Sequence, residues 1–174
     1  MEQQTSVIID AGHGGAEPGA MFEGRKEKDD TLRLAVAVGE ILENNGIRVM
    51  YTRTTDVYDT PLEKAMIANG SGADFFVSIH RNAMPVPGTG KGALNLVYEN
   101  TGPGALMAEN IQKNLVKAGF DDLGVQERPG IIVLRRTKMP AVLVEAGFFR
   151  SPGGQQDFLM NNLIRSPRGL QTGY

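Results

Sequence analysis

Short apolar runs rich in β-branched residues alternate with amphipathic segments along this chain, and the alternation limits the folds open to it. Runs this short are typical of buried strands. We predict strands at Ser6–Asp10, Ile47–Thr52, Asp74–Ile79, Ala93–Tyr98, Ile131–Leu134 and Ala141–Glu145. Helical periodicity occurs between them, at Lys28–Asn44, Pro61–Asn69 and Gly104–Ala118. This order predicts the α/β class: a single layered domain with a roughly six-stranded, mostly parallel or mixed sheet flanked by helices.

Two segments rich in glycine and proline lack this periodicity, so we predict loops at Asn82–Gly92 and Asp121–Gly130. The apolar pattern also decays after Asn162. We therefore expect one domain over residues 1–165 and a C-terminal tail or linker over residues 166–174. The full length of 174 residues is the size of one domain, and it can bury a core without covalent cross-links.

Composition excludes several classes of protein. With 18 Lys and Arg against 20 Asp and Glu, the chain has no basic excess, and we expect no nucleic-acid partner. The absence of cysteine excludes disulfides and thiolate metal sites, so a metal would need nitrogen and oxygen ligands. No apolar run approaches the roughly 20 residues of a membrane span. The segment MEQQTSVIID lacks the basic and apolar regions of a signal peptide, and we expect none in this sequence.

The two histidines of the chain each follow an apolar run. His13 comes shortly after SVIID and His80 directly after FFVSI, while Glu145 ends a third run, PAVLVE. Because ligands gather outside the carboxyl ends of strands in open α/β sheets, we expect these side chains on one edge. A structural histidine or a solvated glutamate would explain each position separately. From the spacing alone, a shared metal site and separate structural roles are equally well supported.

A third metal ligand would have to come from the acidic residues near His13. Catalytic zinc typically takes three protein ligands, and two histidines with one glutamate are a standard set. Glu27 is the best candidate because it opens the first long helix, whereas Glu17 and Glu23 lie in the preceding loop. A carboxylate at a helix N-terminus is also favoured by the helix dipole, so the residues alone leave the choice open.

The motifs around these residues follow one another in a specific order: IIDAGHGG, GRKEK, TRTTD, ADFFVSIHRNA and VLRRTKMPAVLVEAGF. In that order they closely resemble the zinc-dependent N-acetylmuramoyl-L-alanine amidases of the Amidase_3 type, which remodel or lyse bacterial cell walls. The resemblance extends from about residue 7 to residue 158. It implies that His13, Glu27 and His80 bind Zn²⁺, that Glu145 is the catalytic glutamate, and that the fold is a six-stranded sheet flanked by helices.

The resemblance also implies a reaction and a substrate. Residues 1–165 would be the amidase catalytic domain, cleaving the amide between N-acetylmuramic acid and L-alanine in peptidoglycan. Its place of action would be the bacterial cell wall, reached outside the cytoplasm or on lysis, and we expect a monomer. A phage lysin, an autolysin and a sporulation enzyme all fit. Two alternatives stay open: a zinc carboxypeptidase-like peptidase with the same ligands, and a non-catalytic wall-binding module, which should have lost a ligand or the base.

Two residues beside the histidines are candidates for supporting roles. Asp10 is expected either to orient His13 through a hydrogen bond or to cap the end of its strand. Asn82 follows His80 closely and would either contact substrate amides or hold the turn.

Several basic residues depart from the family pattern or adjoin its motifs. Arg81 stands where a small residue is usual, which predicts a more basic substrate rim. Lys64 stands where the family tends to have arginine, so a bidentate contact there is lost. If Arg135 and Arg136 precede the last strand in extended conformation, at most one of them would face the cleft.

Overall fold

One six-stranded sheet organises the chain, and the computed structural model describes residues 4–83 and 92–148. The elements in chain order are β1 (Ser6–Ala11), β2 (Met21–Phe22), β3 (Arg25–Lys26), α1 (Glu27–Asn44), β4 (Arg48–Tyr51), α2 (Pro61–Ser71), β5 (Phe75–Asn82), β6 (Ala93–Val97), α3 (Gly102–Lys117), β7 (Asp122–Glu127), α4 (Ile132–Arg136) and β8 (Ala141–Phe148). The short strands β2 and β3 pair with each other in an antiparallel hairpin before α1.

The strand order of the sheet is β4-β1-β5-β8-β6-β7. The first four strands are parallel to their neighbours, β6 is antiparallel to β8, and β7 is parallel to β6. The predicted α/β class with a mostly parallel, mixed sheet is confirmed. Because β1, β5 and β8 are parallel neighbours, their carboxyl ends meet at one edge, where such sheets bind ligands.

Hydrophobic cores cover both faces of the sheet. One core contains buried side chains of α1 and α3 with alternate residues of β1, including Ile9. The other contains side chains of α2 and α4 with residues such as Ile8, Phe76 and Leu143. This division follows from the alternation of side chains along a strand. His80 lies on this second face, because it and Phe76 are an even number of residues apart on β5.

Five predicted strands and all three predicted helices are present, with modest shifts at their ends. The start of α2 has the expected proline at the first helical position, and Thr60 and Glu63 form a capping box in front of it. The end of α1 also agrees, since Gly46 follows the helix with a left-handed φ of 81°.

The predicted strand at Ile131–Leu134 is wrong, because residues 132–136 form α4. A four-residue apolar run is equally compatible with a buried strand and with one face of a short helix. In the structure Val133 and Leu134 are buried while Ile132 is exposed, which is the pattern of a helix packed on one side. Arg135 and Arg136 consequently lie exposed in the last turn of α4 rather than on a strand.

The predicted loop at Asp121–Gly130 is also wrong in part, because Asp122–Glu127 forms β7. This is an edge strand, and its mostly polar sequence lacks the apolar signal of the buried strands. Gly124, which suggested a loop, has a φ of 78° and lies where the pairing of β6 and β7 shifts register. The glycine therefore belongs to a bulge inside the strand pair.

Some sequence predictions fall outside the described residues. They are most of the loop predicted at residues 82–92, the domain boundary at residue 165 and the tail at 166–174. Within the described ranges, no helix combines the length and the apolar character needed to cross a bilayer.

Phe76 offers a test of the core beneath the functional edge. Its side chain is fully buried, so Phe76→Ala should lower the free energy of unfolding by about 3–5 kcal/mol, measured by denaturant titration. Met66→Ala is the matched control: its side chain is 64% exposed, and the change should stay within about 0.5 kcal/mol. Equal effects of the two substitutions would contradict this packing.

Candidate metal centre

Three ionisable side chains from distant parts of the chain converge at the carboxyl edge of the sheet. His13 Nε2 lies 3.1 Å from Glu27 Oε1, and His80 Nδ1 lies 3.3 Å from the same oxygen. The two imidazole rings are edge-to-face, with centroids 4.9 Å apart. One potential ligand atom from each residue lies within 4.8 Å of the others, so the group could hold a metal ion.

Glu27 is fixed on both of its oxygens by backbone amides. It is the first residue of α1 and is 4% exposed. The Arg81 amide donates to Oε1 and the Ala20 amide to Oε2, each at 2.9 Å. Burial raises the pKa of Glu27, but hydrogen bonds from His13 and His80 outweigh it and hold the pKa well below its usual range. The carboxylate is therefore an anion of fixed orientation between the two imidazoles.

Two glycines make room for the histidine rings. A Cβ on Gly12 would lie 2.5–2.7 Å from three ring atoms of His80, and a Cβ on Gly19 would lie 2.6 Å from His13 Cδ2 and 2.8 Å from Glu27 Oε2. Contacts this short are not tolerated, so the close packing of these side chains requires glycine. The sequence does not predict this role, although the glycine-rich run around His13 is visible in it.

Glu145 faces the same site from β8. It is paired in register with His80 on β5, and paired residues of neighbouring strands point to the same face. Its Oε2 is buried and has no hydrogen-bond partner among the described residues. Burial raises the pKa of Glu145, with His80 acting in the opposite direction. The carboxyl group of Glu145 therefore exchanges its proton at a higher pH than an ordinary glutamate does.

His80 lies between the two carboxylates, and its charge balance reflects both. Burial lowers its pKa, but the hydrogen bond to Glu27 and the negative charge of Glu145 outweigh burial and raise it. Two carboxylates around two imidazoles give the centre a negative electrostatic potential, which favours binding of a cation.

A cleft of about 510 Å³ opens onto these side chains. His13, His80 and Glu145 line its polar floor together with Asp10 and Lys64. One wall is apolar and is formed by Leu96, Ile131, Ile132, Val133 and Leu143. The lining also includes Glu17, Tyr58, Asp59 and Pro61. The arrangement can hold a polar group against the floor and apolar groups against the wall.

Asp10 is a buried residue of the cleft floor, and its hydrogen bonds differ from the predicted bond to His13. Its carboxylate accepts hydrogen bonds from Ser78 Oγ at 2.6 Å, Thr52 Oγ1 at 2.7 Å and Lys64 Nζ at 2.7 Å. Burial raises the pKa of Asp10, but Lys64 and the hydroxyl donors outweigh it and lower the pKa. Asp10 is linked to the His13 segment through Lys64. No sequence motif predicts that Asp10 and Lys64 are partners.

Arg81 does not make the substrate rim basic, contrary to the sequence expectation. Its side chain is 2% exposed, and Nη1 donates to Asp30 Oδ2 of α1 at 2.7 Å. Successive residues of a strand point to opposite faces, so when His80 faces the cleft Arg81 faces α1. Its contribution to the site is the backbone amide that binds Glu27.

The remaining candidates lie near the edge of the site. Asn82 is half-buried, and its Oδ1 accepts a hydrogen bond from the Ala83 amide at 2.8 Å, which is the turn-holding arrangement. Glu17 Oε1 lies 3.7 Å from His13 Nδ1, the ring nitrogen that faces away from Glu27. Glu23 is exposed in the turn between β2 and β3. Of the three acidic candidates, the structure brings Glu27 between both histidines.

Fold and site together define a class of protein: an α/β domain whose sheet edge carries a His–Glu–His group able to hold a metal ion, with a second carboxyl group facing the same cleft. The sequence model of the N-acetylmuramoyl-L-alanine amidases of the Amidase_3 type matches residues 7–162. The chain therefore belongs to this family, and the resemblance drawn from its motifs is confirmed.

Individual relatives agree with this assignment. The chain is 36% identical over 172 residues to the sporulation-specific N-acetylmuramoyl-L-alanine amidase of Bacillus subtilis, covering 96% of this chain and 66% of that protein. It is 38% identical over 147 residues to the endolysin of Bacillus phage SPP1, covering 80% of this chain and 53% of the endolysin. The chain thus spans just under two thirds of the length of the sporulation amidase and about half of the length of the endolysin. The crystal structure of an N-acetylmuramoyl-L-alanine amidase from Clostridium difficile 630 superposes with a TM-score of 0.88 at 32% identity, covering 98% and 94% of the two chains.

Gly12 gives a direct test of the geometry around His80. Gly12→Ala should push the imidazole away from Glu27 and weaken binding of Zn²⁺ or Co²⁺ by about 10–100-fold, measured by competition with a chromogenic chelator. Gly70→Ala is the control, because a Cβ there meets no atom within 4 Å. Unchanged metal affinity in Gly12→Ala would show that the ring position is not required.

Proposed function

We propose that this chain is a zinc-dependent hydrolase that cleaves the amide bond between N-acetylmuramic acid and L-alanine in bacterial peptidoglycan. His13, Glu27 and His80 bind the zinc, and Glu145 is the catalytic base. The observation that carries the proposal is the convergence of both imidazoles on Glu27 Oε1, in a cleft that also contains Glu145.

The donor set and its spacing fit zinc. Ligand atoms about 2.0–2.2 Å from a tetrahedral ion lie about 3.3–3.6 Å from one another. The separations of 3.1 and 3.3 Å from the histidine nitrogens to Glu27 Oε1 are close to that value. Two imidazoles and one carboxylate leave a fourth position for substrate or water, which is the pattern of catalytic rather than structural zinc. Calcium and magnesium prefer oxygen ligands, so this set disfavours them.

The residues of the site have separate roles in the proposed reaction. Zinc at such a site supplies Lewis acidity toward the scissile carbonyl and lowers the pKa of water. Glu27, anchored by two amides, keeps the imidazoles in place and needs no reorganisation during the reaction. Glu145 accepts the proton of the attacking water and later delivers it to the departing amine. The burial that raises its pKa suits both halves of that task.

Substrate identity is supported by the relatives and by the shape of the cleft. The matched proteins include amidases named for the N-acetylmuramoyl-L-alanine bond and a phage endolysin. In this bond the lactyl and alanyl methyl groups flank the amide. The apolar wall containing Ile131, Ile132 and Leu96 gives such groups a surface beside the polar floor. The bacterial cell wall is the corresponding place of action, and a contact of Asn82 with substrate amides stays a prediction.

Digestion of purified peptidoglycan tests the reaction and its metal dependence together. The protein should release new L-alanine amino termini, chelation should abolish this, and added Zn²⁺ should restore it. New reducing sugar ends would instead identify a glycosidase, and release of terminal stem residues a peptidase. Activity that survives complete metal removal would contradict the zinc proposal.

Glu145→Gln separates the base from the metal site. The amide keeps the size of the side chain but cannot accept the proton, so kcat should fall by about 10²–10⁴-fold. Zinc content, measured by elemental analysis of the same preparation, should stay at one ion per chain because Glu145 is not a proposed ligand. Turnover close to that of the unsubstituted protein would rule out Glu145 as the base.

A further inference from the structure

Buried side chains donate hydrogen bonds to the carbonyl oxygens of the turn that carries His13. Ala11 O accepts from Arg53 Nε at 3.1 Å and from Lys64 Nζ at 2.7 Å. Gly12 O accepts from Arg53 Nη2 at 3.1 Å and from Thr31 Oγ1 at 2.7 Å. Both cationic residues are only 4% exposed. Side chains from other elements therefore fix the carbonyl groups on the strand side of the turn, while the backbone pairing of Gly14 with Glu17 closes its far side.

His13 itself requires such support. Its φ of 62° lies in the left-handed region, and within residues 4–83 and 92–148 the only other non-glycine residue there is Glu23. A side-chain residue holds this conformation only where its surroundings determine it strongly, and such sites are often functional. The backbone of the candidate ligand is thus strained, and the imidazole direction depends on keeping that strain.

Lys64 combines the relevant contacts in one atom. Its Nζ donates to Ala11 O at 2.7 Å and approaches His13 O at 3.4 Å, so it contacts both ends of the strained segment. The same atom donates to Asp10 Oδ1 at 2.7 Å, and Asp10 is 1% exposed. Because Lys64 belongs to α2, it links the helix beside the cleft to the metal-binding turn.

We propose that Lys64 is a positioning residue of the metal centre, which fixes the left-handed backbone of His13 by holding the carbonyl oxygens on either side of Gly12 and so preorganises the imidazole for the metal. The inference rests on the proposed function only in taking His13 as a zinc ligand. Asp10 then serves as the buried counter-ion of the ammonium group, and an amide oxygen at the same position could still accept its hydrogen bond beside the two carbonyl groups.

The competing explanation is that Lys64 only neutralises Asp10. The two roles can be separated because Asp10→Asn removes the carboxylate and leaves the ammonium free to donate to the carbonyl groups. Asp10→Asn combined with Lys64→Met removes the donor as well. Replacing both members together avoids leaving a buried charge without a partner, which removal of Lys64 alone would do.

Zinc affinity measured with a competing chromogenic chelator tests the proposal, with the thermal midpoint of the metal-free protein recorded in parallel. We expect Asp10→Asn to keep zinc affinity within about twofold of the unsubstituted protein. The double variant should bind zinc about 10–100-fold more weakly than Asp10→Asn, as for other residues that orient metal ligands. A merely structural role would shift the midpoint and leave the zinc affinity of the folded protein unchanged.

Two results would overturn the proposal independently. One is a zinc affinity of the double variant equal to that of Asp10→Asn. The other is the full 10–100-fold loss in Asp10→Asn alone, which can be judged even if the double variant does not fold. Absence of zinc binding by the unsubstituted protein would instead overturn the proposed zinc chemistry and this inference with it, so the two failures are distinguishable.

Discussion

The carboxylate of Glu27 is the interaction on which the rest of the site depends. It is the one member of the His–Glu–His group that comes from a helix, and α1 packs against the opposite face of the sheet from α2 and α4. Each of its two oxygens accepts a hydrogen bond from a backbone amide, Oε2 from Ala20 and Oε1 from Arg81, in addition to the contacts with the histidines. Those amides belong to the loop after β1 and to β5, so the carboxylate joins three segments. A shift of α1 along its axis would separate Glu27 from both imidazoles at once.

The parallel arrangement of β1, β5 and β8 explains why chemistry collects at this edge. Because these three strands are parallel, His13, His80 and Glu145 lie at the same end of the sheet. The register of β5 and β8 places His80 beside Glu145. Beneath this edge, buried ionic contacts replace the apolar packing of the lower sheet. The Asp10–Lys64 pair is costly to bury, and fixing the conformation of the turn above it would offset that cost. Rigidity of the ligand positions is what a preorganised site requires.

Sequence patterns predicted the parts of this architecture that depend on periodicity. The buried strands and long amphipathic helices were correct because apolar residues repeat along them. The edge strand β7 is polar and carries no apolar signal, and the apolar run of α4 is too short to distinguish a helix from a strand. The shared edge of His13, His80 and Glu145 followed from strand ends, whereas selection of Glu27 needed the family resemblance. The direction of Arg81 was predictable from alternation with His80, but the partnership of Asp10 with Lys64, 54 residues away, carried no local signal.

In the proposed function, His13, Glu27 and His80 share one zinc ion in front of Glu145. Diffraction from zinc-loaded crystals on both sides of the zinc absorption edge tests it most directly. One strong anomalous peak is expected within about 2.0–2.2 Å of His13 Nε2, His80 Nδ1 and Glu27 Oε1. A peak ligated by Glu17 in place of Glu27, or no peak at this edge of the sheet, would contradict it.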